Sequence, residues 1–209
     1  MNDRERMLAR VRAALEPLAV RTPMPSYGDD DAVAHRAIEG KERVAAFCEG
    51  VARAGGRVFV EPVALARWLV ERGDMRGYCD PRIAAEIGPA LSPHLVLETK
   101  LVRERIDDYR FGITRAAGAI AETGTVILND ATSSSRLGAL APWIHVAVVR
   151  AETIHLRLID AVRALGTDPN VVWCTGPSKT ADVEGILIEG VHGPGEQVVL
   201  IVPADHDSA

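Results

Sequence analysis

The segment 119–125 brings together residue types that can bind an anion. Glu122 supplies a carboxylate, and Thr123 and Thr125 supply two hydroxyl groups. Gly124 permits a left-handed backbone or a close approach of the main chain to a ligand. A small-residue loop can present backbone N–H groups to an anion, and a neighbouring carboxylate can act as a base. Glu122 is therefore the candidate catalytic residue, with Thr123, Gly124 and Thr125 as candidate ligand-binding residues. The alternative is an ordinary tight turn with a solvated carboxylate.

A second segment, 176–184, follows an apolar stretch and is predicted to open a helix. Ser178 could cap this helix, with Lys179 and Thr180 in its first turn. Free N–H groups and a cation together suit a phosphate or a carboxylate. The P-loop pattern is absent, and two acidic residues weigh against a strongly anionic ligand. An ordinary capped helix is the alternative. The candidate ligand-binding residues are Gly176, Ser178, Lys179, Thr180, Asp182 and Glu184.

Arg136 and His192 complete the candidate ligand-binding set. Arg136 follows a run of serines, and its planar guanidinium group could hold a carboxylate, unless the run is only a surface loop. His192 lies in a loop rich in Gly and Pro, from which it could reach a site. His145 lies within an apolar stretch and is predicted to be a hydrogen-bonded core histidine. Neither HxxxH nor HExxH occurs in the sequence, so no metal site is predicted.

The candidate segments lie between predicted apolar strands that alternate with predicted helices. Strands are predicted at 57–61, 76–79, 95–98, 111–114, 144–149, 171–174 and 197–202, and helices at 62–71, from 80, over 99–108 and at 151–165. The pieces 119–122 and 125–128 form either a hairpin or one strand entered through a tight loop. This pattern predicts an α/β fold, a three-layer sandwich with a mostly parallel sheet covered on both faces. Ligand sites are expected beyond the carboxyl ends of the strands, in the loops after Thr114, Leu128 and Cys174.

The N-terminal part of the chain is predicted to be a helical arm. Apolar residues at helical spacing predict a helix over 3–16, and a second helix is predicted over 31–54, ended by Gly55 and Gly56. The predicted domains are therefore an arm, residues 1–54, and an α/β domain, residues 55–204.

Composition and cysteine count exclude several classes of protein. The 209 residues carry a net charge of −5, which argues against a nucleic-acid surface. No apolar run of about 18 residues and no apolar signal core is present, so no membrane span is predicted. Three separated cysteines without a CxxC pair cannot form a four-thiolate zinc or iron–sulfur site. A cytoplasmic location follows by elimination.

Three segments of the chain carry a family resemblance. They are GITRAAGAIAETGTVIL (112–128), SRLGALAPWIHVAVV (135–149) and TGPSKTADVEGILIEGVHGP (175–194). In order and spacing they resemble the lactate-utilization (LUD) domain of the lactate utilization protein C family. The resemblance is close over the C-terminal half and looser before it. It implies a fold similar to the ribose phosphate isomerase and CoA-transferase group.

The resemblance also implies a part in the oxidation of L-lactate to pyruvate, alongside partner subunits that carry iron–sulfur clusters. This chain would be the subunit without clusters or other cofactors, and would bind a small carboxylate, a phosphate-bearing ligand or a nucleotide-like ligand. Ala117 stands where the family often has an acidic residue. The residues that match the family's motif positions are Glu122, Thr123, Gly124, Thr125, Arg136, His145, Gly176, Pro177, Ser178, Thr180, Asp182, Glu184 and His192.

Three functions remain open at this point. The first is an accessory, non-catalytic subunit of a lactate-oxidising complex with iron–sulfur partners. The second is a stand-alone enzyme of the sugar-phosphate isomerase or CoA-transferase type, with Glu122 facing an anion site at 178–180. The third is a protein-interaction module whose site is vestigial.

Overall fold

The computed structural model describes residues 2–17, 23, 42–165, 170–181 and 184–203. The chain divides into two units, Met1–His35 and Arg36–Ala209. The described part of the first unit contains α1 (Asp3–Leu15), which confirms the helix predicted over 3–16. Asn2 starts this helix through a capping box, because its side chain accepts the N–H of Glu5 and the Glu5 carboxylate accepts the N–H of Asn2.

The second unit alternates helices and strands along the chain. Its described helices are α2 (Arg43–Arg53), α3 (Pro62–Glu71), α4 (Pro81–Leu91), α5 (Arg136–Leu140) and α6 (Leu158–Ala164). Its described strands are β1 (Arg57–Phe59), β2 (Arg76–Cys79), β3 (Val96–Glu98), β4 (Phe111–Arg115), β5 (Gly118–Ile120), β6 (Thr125–Asn129), β7 (Ile144–Arg150), β8 (Ile154–His155), β9 (Val171–Cys174), β10 (Lys179–Ala181), β11 (Leu187–Glu189) and β12 (Glu196–Val202). No helix in these described stretches is both long and apolar enough to cross a membrane.

A six-stranded sheet forms the centre of the second unit. Its strand order is β1-β12-β7-β4-β2-β3, and every neighbouring pair is parallel. The two longest strands, β7 and β12, are buried over six of their seven residues. Near-continuous apolar runs of this kind are typical of parallel strands covered on both faces. The predicted α/β fold with a mostly parallel sheet is therefore confirmed.

Different layers cover the two faces of this sheet. On one face, α3 and α4 pack Leu65, Leu69 and Ile83 against Ile144 and its neighbours. The other face is covered by α2 and by a second sheet of order β8-β5-β6-β9. Helix α6 packs on a further small cluster formed with strands β5 and β6 of this second sheet. The second sheet thus lies between the parallel sheet and α6.

Helix α2 belongs to the second unit, whereas the predicted domain boundary after residue 54 assigned it to the arm. Phe47 is fully buried and Val51 is 1% exposed in the core cluster that contacts the parallel sheet. The helix predicted over 31–54 is confirmed over 43–53, and residues 31–41 lie outside the described residues.

Two helix predictions are wrong because the chain forms paired strands at these positions. Residues predicted as one helix over 151–165 form a 3₁₀ turn, β8 and α6, since Ile154 pairs in parallel with Ala119. The helix predicted to open at Ser178 is instead an antiparallel hairpin of β10 and β11. Gly185, between these strands, has a positive φ of 79°. Of the two arrangements left open around Gly124, the structure has the hairpin, formed by β5 and β6.

Candidate functional site

A cleft of about 390 Å³ lies beside the end of β9 and the loop that precedes β12. It is lined by Leu140, His145, residues 172–179, residues 192–194 and Gln197. The floor residues His145 and Gln197 are each the second residue of their strand. The cleft therefore lies at the amino ends of β7 and β12, although the loop after β9, one of the three loops expected to carry a site, lines it.

The hydrogen bonds at the floor of the cleft determine which ring nitrogen of His145 carries the hydrogen. Gln197 Nε2 donates to the carbonyl of Val198 at 3.2 Å, so its Oε1 accepts from Nδ1 of His145 at 3.1 Å. The other ring nitrogen, Nε2, then accepts the hydroxyl of Thr114 at 2.9 Å. Burial lowers the pKa of His145 to about 4, against a smaller opposing effect of Gln197. His145 is thus neutral at neutral pH, and its prediction as a hydrogen-bonded core histidine is confirmed.

The rim of the cleft carries the hydrogen-bond donors. The backbone of Ser178 is held at both ends, because its N–H donates to Pro194 and its carbonyl accepts the N–H of Gly190. The Lys179 ammonium lies 3.3 Å from the carboxylate of Glu189, and both side chains are about half exposed. His192 is also exposed beside the cleft. A rim with a cation and hydroxyls suits a small anion.

The bend at Gly124 and the bend at Gly176, one in each candidate segment, lie side by side. Strands β6 and β9 are paired, and the hydroxyl of Thr125 lies 2.7 Å from that of Thr175 and 2.6 Å from that of Thr123. Both bends also contact the C-terminal end of α2. A Cβ on Gly124 would lie 2.2 Å from the backbone of α2, and a Cβ on Gly176 would lie 2.0 Å from the carbonyl of Ala54. Only glycine fits these two positions, which also have positive φ values.

Glu122 faces α6 and is not among the residues that line the cleft. The side chain is 5% exposed, and its Oε2 accepts the N–H of Leu158 at 3.0 Å. Arg53 donates to the backbone carbonyl of Glu122 at 3.3 Å. The carboxylate thus satisfies a free N–H in the first turn of α6. Its catalytic role stays a prediction.

The remaining candidate residues lie outside the cleft or outside the described residues. Arg136 begins α5 and pairs with Asp130 at 3.0 Å, with both side chains well exposed. Thr180 lies in β10, opposite Ile188 of β11. Glu184 is exposed in the turn between these strands, and Asp182 lies outside the described residues.

The described residues contain neither a cluster of metal-ligating side chains nor a disulfide bond. No cluster of three or more His, Cys, Asp or Glu side chains is placed there to hold a metal ion. The three cysteines are free thiols. Burial raises the pKa of Cys174, which lines the cleft, to about 11, so this thiol is protonated at neutral pH.

Residues 79–202 match the family model of the LUD domain. The chain belongs to the LUD domain family. All three segments that carry the resemblance lie within this LUD domain, and so does every lining residue of the cleft. The family assignment made from the sequence is therefore confirmed.

Relatives of this LUD domain protein include several called lactate utilization protein C. The one from Deinococcus radiodurans is 34% identical over 110 residues, which are 50% of this chain and 52% of that protein. The one from Oceanobacillus iheyensis is 32% identical over 113 residues, which are 50% of this chain and 47% of that protein. The matched region thus spans about half the length of these curated relatives.

A solved structure has the same fold. The crystal structure of a DUF162 family protein from Deinococcus radiodurans superimposes with a TM-score of 0.54 at 25% sequence identity. The match covers 76% of this chain and 95% of that one.

Sequence reasoning about this LUD domain protein missed three site residues, Thr114, Thr175 and Gln197. Gln197 carried a usable signal, because it is a polar residue near the start of an apolar strand, as His145 is in its own strand. Two such residues in parallel strands predict a buried polar pair if the strands are neighbours. Thr175 is the first residue of the segment 175–194 that carries the family resemblance, but it was not named as a site residue.

Proposed function

We propose that this LUD domain protein is an accessory subunit in lactate utilization, working in the cytoplasm with iron–sulfur partner proteins. We further propose that its cleft binds a small carboxylate of the L-lactate or pyruvate type. The relatives called lactate utilization protein C support the role. The observation that carries the ligand class is the cleft itself, whose lining includes Lys179 and the hydroxyl-bearing residues Thr175 and Ser178.

The charge distribution supports an anion more than a neutral ligand. The ion pair of Lys179 with Glu189 is exposed and therefore weak, so the ammonium can turn toward a bound carboxylate at little cost. The cleft volume lies within the usual range for small-molecule sites, roughly 300–1,000 Å³. The buried imidazole below adds polarity without adding charge.

Binding of L-lactate tests the ligand class. Calorimetry should detect L-lactate or pyruvate binding to the full chain, and Lys179→Gln should weaken it about fivefold, as expected for one exposed charge. Lys100→Gln is the matched control, because Lys100 is exposed and outside the cleft. Equal affinity in both variants, or no binding to the unmodified protein, would contradict the proposed ligand.

The cellular role needs a separate experiment. In the native host, deletion of this protein should slow growth on L-lactate and leave growth on glucose unchanged. A tagged copy should co-purify with iron–sulfur proteins from lactate-grown cells. Normal growth on L-lactate after deletion would contradict the role. The stand-alone enzyme has less support, because the Glu122 carboxylate binds the N–H of Leu158 and does not line the cleft.

A further inference from the structure

We propose that Thr125 is a positioning residue for the anion site and acts through Thr175. In this inference, which rests on the proposed function, Thr125 orients the hydroxyl that Thr175 presents to a carboxylate in the cleft. The inference gives a role to the ETGT bend, whose side chains do not themselves line the cleft.

Three hydroxyls form a continuous chain from the β5–β6 bend to the cleft. Thr123 Oγ1 lies 2.6 Å from Thr125 Oγ1, which lies 2.7 Å from Thr175 Oγ1. The middle residue, Thr125, is only 3% exposed, whereas Thr175 is exposed and lines the cleft. One end of the chain therefore belongs to a residue that lines the cleft, and the middle of the chain is shielded from water.

Each hydroxyl has a single hydrogen, so the chain can point in only one direction at a time. When Thr175 donates into the cleft, it accepts from Thr125, which in turn accepts from Thr123. In the opposite direction, Thr175 donates to Thr125 and offers only lone pairs to the cleft. A carboxylate selects the first direction, and hydrogen bonds aligned in a chain strengthen one another. The chain thus favours an anion over a neutral molecule of the same shape.

The backbone holds both ends of the chain in place. Gly124 contacts the backbone of α2 at Gly50, and Gly176 contacts Ala54 just beyond the same helix. Because both bends rest on one helix end, the distance between Thr125 and Thr175 is fixed before a ligand arrives. Preorganised donors of this kind lose little freedom on binding.

Replacement of the buried hydroxyl by a methyl group tests the inference. Thr125→Val keeps the shape of the side chain and should bind L-lactate roughly three- to tenfold more weakly, the effect of one hydrogen bond. Binding of L-lactamide, a neutral analogue, should change by less than about twofold because it does not select a direction of the chain. Thr125→Ser should restore the affinity for L-lactate. Thr153→Val is the control, since it removes a hydroxyl bonded to Arg150, away from the cleft.

Four outcomes separate the inference from the proposed function. Equal L-lactate affinity in the unmodified protein and Thr125→Val overturns the inference and leaves the function standing. Equal losses for L-lactate and L-lactamide also overturn it, since they indicate a merely structural role. If the protein binds inorganic phosphate but neither L-lactate nor pyruvate, and Thr125→Val weakens phosphate binding, the hydroxyl chain is supported and the lactate ligand is refuted. No binding of L-lactate, pyruvate or phosphate refutes both.

A second variant keeps the test valid if Thr125→Val does not fold. Thr123→Val removes the far end of the chain, where the side chain is only partly buried. It should weaken L-lactate binding by a smaller factor, and should again leave L-lactamide binding unchanged. Two results together would refute a directional chain. Thr123→Val would fold and bind L-lactate as tightly as the unmodified protein, and Thr125→Ser would bind L-lactate more weakly than the unmodified protein.

Discussion

His145 makes the stability of the fold depend on pH. The folded protein keeps this side chain neutral, with its pKa lowered by burial from 6.5 to about 4. Between these two values, the unfolded chain takes up a proton that the folded protein does not. The free energy of unfolding therefore falls as the pH falls from about 6.5 toward 4, and the stabilisation is fully present above 6.5.

The expected decrease in the free energy of unfolding is large compared with the total stability of a domain. A lowering from 6.5 to about 4 corresponds in full to about 3 kcal/mol, at about 1.36 kcal/mol per pH unit. Between pH 7 and pH 5 the loss is about 2 kcal/mol, because the unfolded histidine is then almost fully protonated while the folded one is not. Whole domains are stable by only about 5–15 kcal/mol. His145 is completely buried, so solvent screening does not reduce the effect.

Urea unfolding followed by tryptophan fluorescence measures this loss at pH 7 and pH 5. The unmodified protein should lose about 2 kcal/mol more between the two pH values than His145→Gln, which has no ring to protonate. His94→Gln is the matched control, because His94 is exposed, and it should lose as much as the unmodified protein. If His145→Gln shows the same change as the unmodified protein, the reasoning about the buried neutral imidazole is wrong.

Three further predictions concern packing, hydrogen bonding and burial elsewhere in the fold. Gly124→Ala should lower the free energy of unfolding by about 2–4 kcal/mol, because its Cβ would overlap the α2 backbone. Gly185→Ala has a similar φ but open space around it, and should cost only about 1 kcal/mol in urea unfolding; equal losses would refute the packing argument. Glu122→Gln should cost about 1 kcal/mol by weakening the charged hydrogen bond to α6, while the exposed Glu152→Gln should be neutral. Burial, aided by a neighbouring carboxylate, raises the pKa of Cys79 to about 12. A disulfide reagent at pH 8 should therefore modify this thiol only after the protein unfolds. Fast modification of the native protein would contradict this prediction.

The sequence predicted the elements whose local pattern agrees with their tertiary environment. The apolar runs of β7 and β12 predict strands buried on both faces, and the structure has both at the centre of the parallel sheet. The segment 151–165 shows the limit of such reasoning. Ile154, Leu158 and Val162 have helical spacing, but pairing of Ile154 with β5 forms a short strand there. Only the tertiary pairing partner distinguishes the two outcomes, and the local pattern does not contain it.

The sequence predicted only part of the candidate site, for a similar reason. The sequence placed two bends at one site, and the structure brings Thr125 within 2.7 Å of Thr175. It did not show which side chains of a bend face the cleft. Glu122 lies in the turn of the hairpin and Thr125 is the first residue of β6, and one meets α6 while the other meets β9. Side-chain direction at a turn depends on backbone geometry that residue types alone do not specify.

The neutral floor and the charged rim together define how a carboxylate would lie in the cleft. His145 is uncharged at neutral pH and both ring nitrogens already have partners, so it cannot supply the positive charge that an anion needs. That charge comes from Lys179 at the rim, and the exposed residue Thr175 also lines the cleft. Leu140 and Val172 add apolar surface to the lining of the cleft. A small carboxylate of the proposed type would place its charged end at the solvent side, where it stays hydrated, and its methyl group against this apolar surface.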